Sequence, residues 1–195
     1  FGPCLCLKAN MTYIIATPPA TEPVSLAEVK AGLRIDADIT AFDSDLNLLI
    51  QSARELAEHE TGRSLMIQTV RLELEDWSDV IEIRCAPVQS ITSIQFWDGA
   101  AWQTFSNTGY SLYQDGLLWK VEPTAYWPVL GDGAGPRVKV TFQAGYQTAE
   151  LVPACVKRWI IAQVGAWFRS PEASGAKQEI SPMLAGLLDP VRLYL

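Results

Sequence analysis

The chain has 195 residues, of which 49% are hydrophobic, enough to bury the core of one domain with a sizeable insertion. Its 15 Lys and Arg residues against 22 Asp and Glu residues give a net charge of -7, and the basic residues are scattered, which disfavours ordinary binding to nucleic-acid phosphates. The sequence has no apolar stretch of the roughly 20 residues that a membrane helix needs, so neither a membrane anchor nor secretion is expected.

The chain begins with two segments that are not expected to belong to a helix or a sheet. Residues 1–10 precede Met11 and are interpreted as a vector remnant or an upstream extension. Residues 11–24 contain three prolines and are predicted to form an extended arm. Cys85 and Cys155 stand alone in apolar stretches, so we expect buried thiols rather than a disulfide.

Two helices are predicted after the arm. Ser25 and Glu28 have the spacing of a capping box, in which each side chain bonds the backbone N–H of the other residue. A second such pair, Thr40 and Asp43, is predicted to open a longer helix whose apolar residues recur every three or four positions. Gly62 is expected to end that helix.

From Met66 onward the hydrophobic residues alternate, which is typical of half-buried strands. Further short β-prone runs are separated by turn residues. The expected runs are 80–84, 88–97, 102–105, 110–114, 117–122 and 137–144. Asp115 and Gly116 are typical of a two-residue hairpin turn, and Asp98 and Gly99 predict another turn.

Helical spacing returns after Gly145. Pro153 is expected in the first turn of a helix whose apolar stripe extends to Phe168. Residues 180–195 form an apolar tail interrupted by two prolines, and a tail so apolar is expected to dock on another surface. The order of helices, strands and helices argues against alternating β-α units. The predicted fold class is therefore α+β: a helical core formed by residues 25–65 and 149–195, with an antiparallel β-domain inserted at residues 66–148.

No catalytic or metal-binding group can be assembled from the sequence pattern. His59 is the single histidine and lies outside an HExxH motif. The glycine-rich segment 131–136 lacks the Lys-Ser/Thr pair of a phosphate-binding loop. Glu73 and Glu75 would share one strand face with Arg71 instead of facing each other across a cleft. The sequence therefore predicts a protein that is not an enzyme, with no cofactor and no metal.

Tryptophan is abundant in the predicted β-region. Five of the seven tryptophans lie there, where they can fill a core or a subunit interface. An alternative function follows from the same residues: a tail or baseplate module that recognises carbohydrate or a host surface. Its binding aromatics would be Trp97, Trp102 and Trp119, and it requires these indoles to be exposed and coplanar.

Three stretches resemble one known family. Residues 18–36 (PPATEPVSLAEVKAGLRID) and 45–65 (DLNLLIQSARELAEHETGRSL) are similar to the head-tail connector proteins of tailed bacteriophages, more narrowly to the gp6-like and phage gp8-type proteins. Residues 186–195 (GLLDPVRLYL) resemble the Leu-Leu-x-Pro-Tyr-Arg ending of that group, with Val191 where an aromatic residue is usual.

The resemblance implies a structural protein of a phage or prophage, located at the head–tail junction of the virion and assembled in the cytoplasm of the bacterial host. Its subunits would form a homo-oligomeric ring under the portal protein, above a further tail-side connector or tail completion protein. DNA would pass through the ring without sequence-specific binding. A closed ring needs adhesive surfaces and no catalytic site, and an acidic channel would let DNA pass with little friction.

The contact with neighbouring subunits or the portal is expected on the two long helices and the tail. The tail, residues 180–195, is expected to dock onto a neighbouring subunit or the portal. The residues expected at the interface are Leu46, Ile50, Ala53, Trp159, Trp167, Leu187, Leu188 and Arg192.

Overall fold

The computed structural model describes residues 11–169 and 186–192. The interpretation of residues 1–10 as a leader, and part of the tail prediction, lie outside these residues. The described elements, in chain order, are β1 (Met11–Thr17), α1 (Leu26–Leu33), α2 (Asp43–Thr61), β2 (Gln68–Leu74), β3 (Ile81–Ile83), β4 (Val88–Trp97), β5 (Trp102–Phe105), β6 (Tyr110–Asp115), β7 (Leu118–Pro123), β8 (Val138–Ala144) and α3 (Ala154–Arg169). Helices lie at both ends of a run of antiparallel strands, so the predicted α+β class is confirmed.

The chain divides into two compact units. The first, here called the β unit, comprises residues 11–20 and 67–145 of the described chain. The second, here called the helical unit, comprises residues 21–66, 146–169 and 186–192. Each unit has its own cluster of buried apolar side chains.

The caps of α1 and α2 follow different rules. The predicted capping box is present at α1, because Ser25 Oγ accepts the Glu28 N–H at 3.2 Å and Glu28 Oε2 accepts the Ser25 N–H at 2.7 Å. The second predicted box is wrong. Phe42 is the N-cap of α2 and makes no side-chain cap bond, while the Thr40 backbone carbonyl accepts the Asp43 N–H at 3.1 Å. Because the backbone carbonyl of Thr40 already accepts the Asp43 N–H, the Thr40 hydroxyl is not needed as a cap.

Of the two predicted helix ends, the C-terminal end of α2 is confirmed, and the N-terminal end of α3 lies one residue later than predicted. Gly62 ends α2 in the left-handed conformation (φ 68°), as predicted. Pro153 lies just before α3 and not in its first turn, and its carbonyl accepts the N–H groups of Val156 and Lys157. A proline fits both positions because neither requires a backbone donor.

Helices α1 and α3 approach each other closely because glycine lies at their contact. A Cβ atom added at Gly32 would lie 2.6 Å from Ile161 Cγ2, and one added at Gly165 would lie 2.7 Å from Leu33 Cδ2. Both distances are shorter than carbon atoms tolerate, so side chains at these positions would force the two helices apart.

The β unit contains a five-stranded sheet with the order β1-β2-β8-β4-β5 and a three-stranded sheet with the order β3-β7-β6. All strand pairs in both sheets are antiparallel. Val70 lies opposite Phe142 and Leu72 opposite Val140, so the alternating apolar residues of β2 and β8 share the buried face.

Part of the predicted extended arm is a strand of this sheet. Met11–Thr17 pairs with β2, with Tyr13 opposite Leu72. Tyr13 is buried, and its hydroxyl donates to the Glu82 carbonyl at 3.3 Å and accepts the Arg84 N–H at 3.2 Å. The strand depends on pairing with a segment more than 50 residues later in the sequence, which local patterning does not reveal.

The hairpin between β6 and β7 lies one residue later than predicted. Asp115 still pairs with Leu118, so Gly116 and Leu117 form the two-residue turn, and Gly116 supplies the positive φ of 61°. At the other predicted turn, Asp98 Oδ1 accepts the N–H groups of Ala100 and Ala101 at 2.8 Å each, which closes the loop between β4 and β5.

Candidate assembly surface

Five of the eight residues predicted for the assembly interface lie inside the helical unit. Leu46, Ala53 and Trp159 are 0% exposed, and Ile50 and Leu188 are at most 2% exposed. All five belong to the core cluster formed by the three helices and the segment after residue 185. A side chain without accessible surface cannot contact another subunit, so their assignment to the interface is corrected: they are core residues of the subunit.

The other three predicted residues keep part of their surface. Trp167 and Leu187 are half-buried against the core of the helical unit. Arg192 is also half-buried, and its contacts involve α2. The Arg192 Nε donates to the Glu60 carbonyl at 3.0 Å, and the other end of its guanidinium lies 2.9 Å from Glu60 Oε2.

The described part of the tail docks on its own subunit. Arg63 Nε donates to the Val191 carbonyl at 2.6 Å, and Leu188 inserts into the core. The expectation that the tail docks onto a neighbour or the portal is therefore corrected for residues 186–192. Residues 180–185 and 193–195 lie outside the described chain. The tail thus supplies one wall of the helical core.

A buried arginine fixes the chain on both sides of α2. Arg54 is 3% exposed and lies 2.8 Å from Glu22 Oε2 and 2.9 Å from Glu58 Oε2. Glu58 Oε1 also accepts the Leu65 N–H at 2.8 Å. Burial raises the pKa of the Glu58 carboxyl. This network ties the segment before α1 and the segment after α2 to the middle of the helix, so it has a structural role.

The outward faces of α2 and α3 carry opposite charges. On α2, the residues on the side away from the core are Asp45, Leu48, Ser52 and Glu55, here called the acidic face. On α3, Arg158 and Arg169 are exposed and Ala162 between them is half-buried, and these three residues are here called the basic face. Because the two helices pack together through their buried sides, the two faces look outward in different directions.

The tryptophans of the alternative hypothesis do not form a flat platform. Trp97 and Trp102 are cross-strand neighbours whose rings meet at 61° with centroids 5.8 Å apart. The Lys139 ammonium covers the Trp102 ring at 3.9 Å, and Trp97 Nε1 donates to the Asp132 carbonyl at 3.1 Å. Trp119 is half-buried against the core of the β unit. These indoles are neither coplanar nor fully exposed, so the sugar-binding hypothesis loses its main requirement.

The other two tryptophans of the β unit form a structural pair. Trp77 and Trp127 stack with centroids 4.4 Å apart and planes within 3°. Trp77 Nε1 donates to the Pro128 carbonyl at 2.8 Å, and Trp127 Nε1 donates to the Ser78 carbonyl at 2.9 Å. Each indole thus bonds the backbone next to its partner, which fastens the loop before β8 to the segment after β2.

The described residues offer little for catalysis or metal binding. His59 is exposed on α2. Within residues 11–169 and 186–192, His, Cys, Asp and Glu form no group of three or more that could hold a metal ion. Glu73 forms an ion pair with Arg71 at 3.0 Å, as expected for two neighbours on one strand face. In the same part of the chain, no helix combines the length and apolar character needed to cross a membrane.

Comparison with solved structures shows the same fold in particle necks. A chain from the neck of an empty gene transfer agent (GTA) particle, computed with C6 symmetry, has a TM-score of 0.80 and 22% identity, with 94% of this chain and 96% of that chain covered. A chain from the virion of a native GTA particle has a TM-score of 0.78, 22% identity and the same coverage. A chain from the neck of a native GTA particle, computed with C12 symmetry, has a TM-score of 0.69 and 20% identity, with 93% of this chain and 97% of that chain covered.

The sequence itself matches one family model. The model of the phage gp6-like head-tail connector protein matches residues 23–114, which include α1, α2 and the strands from β2 to most of β6. No curated protein sequence matches the chain. Over residues 23–114 the chain is thus similar to the phage gp6-like head-tail connector family, and it shares its fold along almost its whole length with chains of GTA particle necks.

Proposed function

We propose that this protein is a head-tail connector subunit that forms a ring beneath the portal of a phage or prophage particle. The observation that carries the proposal is the family match over residues 23–114, supported by the likeness to neck chains over 94% of the sequence. The ring is supported by the cyclic C6 and C12 symmetry with which those necks were computed. The protein would work at the head–tail junction of the virion after assembly in the host cytoplasm.

The partners belong to the same proposal. The portal would bind one side of the ring, and a tail-side connector or tail completion protein would bind the other. DNA would pass through the centre without sequence-specific binding. The net charge of -7 supports such passage, because an acidic wall repels phosphates and does not hold them.

The helical unit would provide assembly and would carry the β unit, which is built from residues 11–20 and 67–145 of the described chain. The fixed network around Arg54 and the docked segment 186–192 make the helical unit a well-defined body. In a cyclic ring every subunit offers two different surfaces to its two neighbours, and these surfaces need adhesion without catalysis. The role proposed here is accordingly structural.

Electron microscopy of the purified protein mixed with its own portal tests the proposal. The expected result is a ring bound at the tail-facing end of the portal. A portal from an unrelated phage serves as the control and should stay bare. If the protein does not associate with its own portal, the proposed function is overturned.

A further inference from the structure

The charges of the helical unit are divided between its two long helices. Helix α3 carries Lys157, Arg158 and Arg169 and has no acidic residue, although the whole chain has a net charge of -7. Helix α2 carries five acidic residues against one arginine. This separation places attractive charges on two different surfaces of the same subunit, as a head-to-tail ring contact requires.

The acidic face contains an apolar side chain that the subunit does not cover. Leu48 is 61% exposed, between Asp45 and Glu55 along the helix. Asp45 makes no ion pair with any described residue. Glu55 lies 3.5 Å from Arg54, but that guanidinium is already held by Glu22 and Glu58, so the surroundings remain negative.

The basic face has the opposite character. Arg158 and Arg169 are exposed, and neither forms an ion pair within residues 11–169 and 186–192. Ala162 lies between them on the same side of α3 and is half-buried. Two exposed arginines that have no acidic partner among the described residues are well suited to meet carboxylates of another molecule.

The spacing of the charges on the two faces agrees. At a rise of about 1.5 Å per residue, Asp45 and Glu55 are roughly 15 Å apart along α2. By the same rule Arg158 and Arg169 are roughly 16 Å apart along α3. The distance between the two carboxylates on either side of Leu48 therefore matches the distance between the two arginines on either side of Ala162.

We propose that the acidic face of one subunit packs on the basic face of the next subunit in the ring. The occupant is a second copy of this chain, because the same chain supplies both complementary surfaces and a cyclic contact joins two different surfaces. The inference rests on the proposed ring and goes further by naming its contact. Leu48 would lie against Ala162, with the arginines beside the carboxylates.

Charge reversal tests the contact in the portal-binding assay. One variant carries Asp45→Lys and Glu55→Lys, and the other carries Arg158→Glu and Arg169→Glu. Each variant alone sets like charges against each other, so the ring fraction should fall on the order of tenfold or more. Mixed in equal amounts, the two variants should form rings again, because alternating subunits restore opposite charges at every contact in an even-membered ring.

A matched control carries Asp36→Lys and Asp38→Lys, the same change of charge on exposed residues outside the acidic face, and should form rings as the wild type does. Circular dichroism shows that each variant is folded. The inference is overturned if either charge-reversed variant forms rings alone, or if the mixture of folded variants fails to restore them. Wild-type protein that forms no ring on its portal overturns the proposed function, and the inference with it.

Discussion

Arg192 binds Glu60, a residue 132 positions earlier in the chain, through both its backbone carbonyl at 3.0 Å and its carboxylate at 2.9 Å. The contact lies at the C-terminal end of α2, where a cation is favoured by the helix dipole. It joins the segment after residue 185 to the helical unit and places Leu188 in the core. These residues therefore stabilise the subunit itself.

Leu188→Ala should destabilise the helical unit by about 2–4 kcal/mol, because it removes a fully buried side chain and leaves a cavity. Urea unfolding followed by far-ultraviolet circular dichroism, which reports mainly on the helices, measures the change. Leu187→Ala is the matched control, and its half-buried side chain predicts a smaller loss. Equal stability of wild type and Leu188→Ala would show that the segment is not docked in solution.

Trp127→Ala should destabilise the β unit by at most about 3 kcal/mol, the low end of the range for a buried aromatic side chain, since it removes a half-buried stacked indole and its bond to the Ser78 carbonyl. Trp127→Phe keeps an aromatic ring but loses the N–H donor, so its cost should be smaller. Thermal unfolding followed by tryptophan fluorescence compares the two variants. If both variants unfold like the wild type, the stacked pair does not fasten the loop.

Ser25→Ala should lower the stability of the helical unit by about 1 kcal/mol, the usual cost of losing an N-cap. Thr40→Ala is the control, because the backbone of Thr40 and not its hydroxyl contacts the start of α2. We expect the control to unfold at the wild-type urea concentration. A larger loss for Thr40→Ala than for Ser25→Ala would contradict the assigned caps.

Burial raises the pKa of the Glu58 carboxyl above its usual value of 4.5. The folded helical unit then binds a proton at Glu58 more readily than the unfolded chain does, so the contribution of Glu58 to the free energy of unfolding falls as the pH rises from 4.5 through the raised pKa. Glu58→Gln cannot titrate. The difference in free energy of unfolding, wild type minus variant, should therefore decrease with rising pH. Urea unfolding across this pH range measures it, and a difference that stays constant or increases contradicts the raised pKa.

Helix caps and stops are predictable from the sequence because they depend on residues that are neighbours in the chain. The Ser25–Glu28 box and the Gly62 stop depend on contacts within one helical turn, so their spacing in the sequence is sufficient. The hairpin of β6 and β7 was also predictable, although its turn moved by one residue because Asp115 remains in the strand ladder.

The candidate assembly surface was harder to predict. A stripe of apolar residues at helical spacing has the same pattern whether a helix covers it within the subunit or a second subunit covers it between subunits. The pattern therefore predicts Leu46, Ile50 and Trp159 at the interface, whereas the structure places them in the core. The exposed Leu48 on α2 had no distinguishing sequence signal, because its exposure depends on which face of α2 meets α3.

The amino-acid sequence by itself determined the α+β class, the boundaries of most helices and strands, and the resemblance to connector proteins, since these follow from periodicity, caps and turns within short stretches of chain. The tertiary structure decided which residues are accessible. Two contacts join segments that are distant in sequence: β1 pairs with β2, and Leu188 and Arg192 dock on the helical unit. The separation of charge between the outward faces of α2 and α3 likewise depends on how these two helices pack. Burial depends on such distant contacts, so the candidate assembly surface becomes visible only when the chain is folded.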